Sequence, residues 1–151
     1  MNPRERVYVA LGSNLGDRAA YLEKARAAIG KLPLTTVIAV SRVEETDPVG
    51  PSGQDKYLNQ MMLVETSLDP SRFLAQLHRI ENENGRVRKE KWGARTLDLD
   101  IVRFGTRRLR DSELILPHPE FPNREWWQRE LAELDAIAGK GERGTGKGER
   151  E

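Results

Sequence analysis

The first apolar run, VYVAL at residues 7–11, alternates and is partly β-branched, which predicts a strand. GSNLGD follows as a turn, with Asp17 placed to cap a helix. In RAAYLEKARAAIGKL the apolar Tyr21, Leu22, Ala25, Ala28 and Ile29 recur at helical spacing, until Pro33 stops the run. TTVIAVSRVEET, residues 35–46, predicts a second strand by its β-branched content. DPVGPSGQDK, residues 47–56, has two prolines and two glycines and predicts a loop longer than a hairpin turn. YLNQMMLVETSL is a third strand. DPSRFLAQLHRIENENG predicts a helix with Asp69 as cap, Pro70 at its first position and Gly85 at its end. Phe73, Leu74, Leu77 and Ile80 form its buried stripe. TLDLDIVRFG is a fourth strand, TRRLR a short fifth, and NREWWQRELAELDAIAG a last helix capped by Asn123.

The order β-α-β-β-α-β predicts an α+β fold with a ferredoxin-like core, an antiparallel sheet with helices packed on one face. One domain of residues 1–138 is expected. Residues 139–151 are charged, glycine-rich and without apolar side chains, so a disordered tail is expected there.

One strand departs from plain alternation of apolar and neutral residues. In "GARTLDLDI" Asp98 and Asp100 stand among Leu97, Leu99 and Ile101. Strand side chains alternate, so the aliphatics share a core face and the aspartates the other, roughly 7 Å apart. Like charges that close repel unless water or a cation intervenes. A solvated acidic face and a metal site both satisfy that pattern. The preceding stretch RVRKEKWGAR carries Arg86, Arg88, Lys89, Lys91 and Arg95 against Glu90, a net of +4 in a chain whose whole charge is +1. Cations beside paired carboxylates suit a magnesium-bound polyphosphate, and equally a solvated basic loop next to an unrelated strand.

Composition narrows the chemistry. The 151 residues include no cysteine and only His78 and His118. A thiolate zinc site and a histidine-rich cluster are excluded, leaving a hard cation on carboxylates. No apolar run is long enough to span a bilayer as a helix, and the lack of cysteine suits a cytoplasmic protein.

Taken together, ALGSNLGDR, ETDPVG, YLNQ, LHRIENENGRVRKEKWGARTLDLDI and LPHPEFPNREW resemble, in order, the motifs of the 6-hydroxymethyl-7,8-dihydropterin pyrophosphokinases of folate biosynthesis. The resemblance runs from about Val7 to Trp126. It implies a ferredoxin-like monomeric kinase that moves a diphosphate from ATP to the pterin hydroxymethyl group and leaves AMP. It implies two magnesium ions on Asp98 and Asp100, with Arg86 and Arg95 completing the catalytic set. ATP would be met by Arg86, Arg88, Arg95, His118, Arg124, His78, Glu81 and Ile101. The pterin would be met by Thr46, Asp47, Val49, Tyr57, Asn59, Trp92 and Trp126, with no nucleic-acid or membrane partner. Ala94 stands where the family usually has proline, and Trp126 where it has phenylalanine. Pro119 and Glu113 replace side chains that contact ATP in some members. A nucleic-acid reader of the same topology would need aromatic residues where this strand has acids. Another D-x-D metal-dependent transferase would account for the acids but not for YLNQ or the Trp92 loop.

Overall fold

A computed structural model of the chain describes residues 3–47, 55–85 and 96–145. The elements begin β1 (Glu5–Ser13), α1 (Arg18–Gly30), β2 (Thr35–Val40), β3 (Glu44–Thr46) and β4 (Tyr57–Thr66). They continue α2 (Pro70–Glu83), β5 (Asp98–Phe104), β6 (Leu109–Arg110), β7 (Ile115–Leu116) and α3 (Glu125–Thr145). The main sheet is antiparallel in the order β2-β4-β1-β5, with β3 also on β4, and β6-β7 is a separate hairpin.

Both expected aspartate caps are in place. Asp17 accepts from the Ala20 amide at 3.1 Å and Asp69 from the Arg72 amide at 2.9 Å, each satisfying an otherwise orphan N–H. Pro70 opens α2 without losing a needed donor, and Gly85, at φ +79°, follows its end.

The strand expected over 35–46 is two strands. The Ser41 amide still donates to the Met61 carbonyl, but the Met61 amide donates to the Ser41 hydroxyl, at 2.9 Å each. A side-chain oxygen thus takes the place of a backbone carbonyl and interrupts the ladder. Asn123 is not the cap of α3. It closes a 3-10 turn, Phe121–Asn123, and the Arg124 carbonyl accepts the first helical bonds, from Trp127 at 3.0 Å and Gln128 at 3.3 Å. The helix also continues through residues 139–145, where a tail was expected. Once a helix is nucleated each further residue adds a hydrogen bond, which offsets the weak propensity of glycine.

Helices lie on both faces of the sheet, not on one. Val7, Val9, Leu11, Met62, Val64, Leu99 and Ile101 pack on α1 and α2 through Leu22, Ile29, Phe73, Leu77 and Ile80. Ala10, Met61, Leu63 and Val102 face α3 through Trp127, Leu131 and Leu134. In β5, Val102 faces α3 as alternation from Ile101 requires. A bulge follows, with Val9 paired to Ile101 and Tyr8 to Arg103, and its extra residue returns Phe104 to the first core. The Tyr8 hydroxyl donates to Asp135 and pins α3 to β1. Burial, reinforced by Asp135, pushes that phenol up to about 12.

Leu134 is fully buried under α3, so Leu134→Ala should lower unfolding free energy by about 2–5 kcal/mol in urea titration. A loss under about 0.5 kcal/mol, typical of a surface substitution, would mean that α3 is an appendage and the second core is not structural.

Candidate active site

β5 is the outer strand of the sheet, so some of its amides point away from β1 and need partners elsewhere. The Leu99 amide finds one in Glu81 of α2, whose Oε2 accepts at 2.7 Å. Glu81 is 1% exposed. Expected as an ATP contact, Glu81 is also a buried strut between α2 and β5. Further along, the His118 amide donates to the Val102 carbonyl at 2.9 Å, so the segment after β7 closes the same edge.

Asp98 and Asp100 flank Leu99 and share the other face, half-exposed, as strand alternation requires. Asp98 pairs across the sheet with Gly12, and Gly12 with Asn59; Asp100 pairs with Ala10. The Tyr57 hydroxyl lies 3.5 Å from Asp98 Oδ2. Asn59 donates through Nδ2 to the Thr46 hydroxyl, leaving its Oδ1 as an acceptor over Gly12. A Cβ at Gly12 would touch Asn59 Oδ1 and the Tyr57 ring, each at 3.4 Å, so glycine keeps this floor open. Asn14 donates to the Asp55 carbonyl and Arg18 to the Lys56 carbonyl, at 3.1 and 2.7 Å, fixing the chain as it enters Tyr57. Asp47 is exposed and faces Lys56 at 3.7 Å.

On the other side of the aspartates lies a cleft of about 320 Å³ lined by Leu74, His78, Glu81, Asp100, Ile101 and His118, and closed by the 111–115 segment and Pro119. His118 Nε2 is 3.7 Å from Asp100 Oδ1. The Glu120 amide donates to His118 Nδ1 at 3.0 Å, so a neutral ring carries its proton on Nε2, toward Asp100. Trp127, which the sequence pattern did not single out, packs against two of the candidate residues. The His118 ring meets it edge-on at 4.9 Å, and the Arg124 guanidinium stacks over it at 4.5 Å. Asp111, also missed, accepts from the Glu113 and Leu114 amides at 2.9 Å each and shapes the cleft wall. Its signal was the Asp-Ser pair typical of an Asx turn.

The structure thus gathers His78, Glu81, Ile101, His118 and Asp100 in one cleft, and Thr46, Tyr57, Asn59 and Asp98 at the adjoining strand ends. Arg124 and Trp126 stand at the start of α3, 6.0 Å from guanidinium to ring. Val49, Arg86, Arg88, Trp92 and Arg95 lie outside the described residues.

A family model described as 7,8-dihydro-6-hydroxymethylpterin-pyrophosphokinase matches residues 8–136. The chain belongs to this family. Proteins named 2-amino-4-hydroxy-6-hydroxymethyldihydropteridine pyrophosphokinase are similar to it across most of both lengths. The Bacillus subtilis protein is 44% identical over 84% of this chain and 76% of its own. The Haemophilus influenzae protein is 43% identical over 79% and 74%, and the Pseudomonas aeruginosa protein 42% over 86% and 80%. In fold, the pyrophosphokinase chain resembles a crystal structure of an HPPK-DHPS protein in complex with substrates, at TM-score 0.63 and 12% identity. The match covers 94% of this chain and 44% of that longer one. The ferredoxin-like α+β assignment therefore holds, with the added helix on the second face.

Glu81→Ala should leave the Leu99 amide buried without its acceptor and lower stability by about 1–3 kcal/mol. Hydrogen exchange should accelerate at Leu99 more than at Val9 in the sheet centre. Unchanged exchange at Leu99 would show that the strut does not hold the strand.

Proposed function

We propose that the chain transfers the terminal diphosphate of ATP to the hydroxymethyl group of 6-hydroxymethyl-7,8-dihydropterin, releasing AMP, as a step of folate biosynthesis. Family membership supports the activity. The observation that carries the site assignment is the shared face of Asp98 and Asp100, which joins the His118 cleft to the Tyr57–Asn59 floor.

The donor set fits magnesium. Among the described residues no group of three or more His, Cys, Asp or Glu could hold a metal by itself. Two half-exposed carboxylates leave most of a six-oxygen shell to water and phosphate, the way magnesium binds nucleotides. Asp98 and Asp100 would hold two ions, which when bound supply charge neutralisation at the phosphates and a more acidic pterin hydroxyl.

The other side chains bind and orient. His118 offers its Nε2–H to phosphate oxygen, and Arg124, held flat on Trp127, offers planar donors nearby. Ile101 and Leu74 give the cleft an apolar wall for the nucleoside, with the His78 ring beside them. Asn59, with Nδ2 committed to Thr46, presents Oδ1 to the N–H edge of a pterin, while Tyr57 and Trp126 supply stacking surfaces. Arg86, Arg88, Arg95 and Trp92 are assigned to the phosphates and to covering the pterin, supported by their place in the family motif. Because phosphoryl-type transfer asks little covalent chemistry of a protein, positioning and charge carry the rate. The chain is read as a cytoplasmic monomer by its resemblance to the family; its lack of cysteine suits that compartment.

Asp98→Ala and Asp100→Ala should each lower kcat by a factor of about a thousand or more with the fold intact, since each removes an expected metal ligand. Full activity of either variant at ordinary magnesium would end the assignment. Calorimetry on Tyr57→Ala and Asn59→Ala should show pterin binding weakened by about 1–3 kcal/mol and ATP binding nearly unchanged. Equal losses for both ligands would argue against this pocket.

A further inference from the structure

A second pair of acids meets between β3 and α3. Glu130 is 1% exposed, and neither of its carboxyl oxygens has a hydrogen-bond donor from an amide, hydroxyl or basic group among the described residues. The group it faces is Glu44. Glu44 is gripped from outside by Arg129, whose Nη2 donates to Oε1 at 2.8 Å. A carboxylate buried away from water against a second one resists ionisation, and a hydrogen bond between the two requires one proton. Burial, with Glu44 adding to it, pushes Glu130 up to about 9. Burial acts on Glu44 in the same sense, but the hydrogen bond from Glu130 and the charges of Arg129 and Arg42 outweigh it and hold Glu44 below the usual carboxylate range. Glu130 therefore keeps the proton and donates it to Glu44.

The contact has a place in the site. Glu44 pairs with Asn59 across the β3-β4 ladder, as Thr46 pairs with Tyr57, so Glu44 and Thr46 project from one face of β3. Glu130 follows Trp126 by four residues on α3 and lies on the same side of the helix. We propose that Glu130 and Glu44, by sharing one proton, form a positioning pair that holds β3 against α3 and sets the width of the pterin pocket between Thr46–Asn59 and Trp126. This rests on the pocket assigned above. The other charges facing the pair are Arg42, which precedes β3, and Arg129 and Glu133 of α3. On this face β4 presents Tyr57, Asn59 and Met61, none charged at neutral pH.

The pH dependence follows. An unfolded Glu130 releases its proton near the ordinary 4.5 and the folded one near 9. Stability falls as pH rises between those values, then levels off. Above about 9 the ionised Glu130 repels Glu44, and β3 and α3 part. The ATP cleft, built by α2, β5 and the 111–119 segment, stays intact.

The test compares the wild type with Glu130→Gln, whose amide can still donate to Glu44 but cannot ionise. Between pH 8 and 10 the wild-type KM for the pterin should rise about fivefold or more, while kcat and the KM for ATP change less than about twofold. The E130Q profile for the pterin should stay flat, and carbon NMR of the wild type should show a carboxyl titrating near 9 that is missing in E130Q. Identical pterin profiles for the two proteins, or no such carboxyl in the wild type, would overturn the proposal. An unchanged pterin KM in Tyr57→Ala would sink the pocket assignment and the positioning role with it. In that case the NMR titration would still report whether the proton is shared, so the two failures are told apart.

Discussion

The bond from the Leu99 amide to Glu81 is the contact on which the rest of the site depends. β5 is an edge strand that must present two carboxylates on one face and bury aliphatics on the other. Each aspartate tends to pull the strand toward water and away from its neighbour. Packing of Leu97, Leu99 and Ile101 resists this from beneath, and Glu81 resists it along the edge. A buried carboxylate used in this way is costly to desolvate unless its hydrogen bonds are good. At 2.7 Å to a backbone N–H, this one is short. It places Asp98 and Asp100 at the seam between a nucleotide-sized cleft and the Tyr57–Asn59 floor.

Much of this was legible in the residues. Asp17 and Asp69 announced their helices because an N-cap acts locally, through a side chain and an amide three residues on. The D-x-D face was equally local, a consequence of strand alternation. What the pattern missed depends on long-range contacts. Ser41 breaks a continuous β-branched run only because its hydroxyl lies opposite the Met61 amide. Alternation from Ile101 sends Val102 toward that helix, but it cannot foresee the bulge that returns Phe104 to the first core. Trp127 stood out in no motif, yet its buried ring meets both His118 and Arg124. The family motifs supplied the remaining site residues, and those at 86–95 lie outside the described residues.

The molecule treats two pairs of acids in opposite ways. Asp98 and Asp100 stay half-exposed and apart, an arrangement that water or a cation can satisfy. Glu130 is shut away from water against a partly buried Glu44, where the proposed single shared proton removes one charge. The first pair suits chemistry on phosphates, because its charge is available. The second suits fixing one element against another, because its charge is largely removed. Both lie on the α3 side of the sheet, which explains why the C-terminal helix belongs to the functional core.

Phosphorus NMR of magnesium-ATP consumed in the presence of 6-hydroxymethyl-7,8-dihydropterin tests the central claim most directly. The account predicts AMP and a pterin diphosphate in equal amounts, no ADP, and no ATP loss when the pterin is left out. ADP with a monophosphorylated product, or ATP breakdown at the same rate without the pterin, would contradict it.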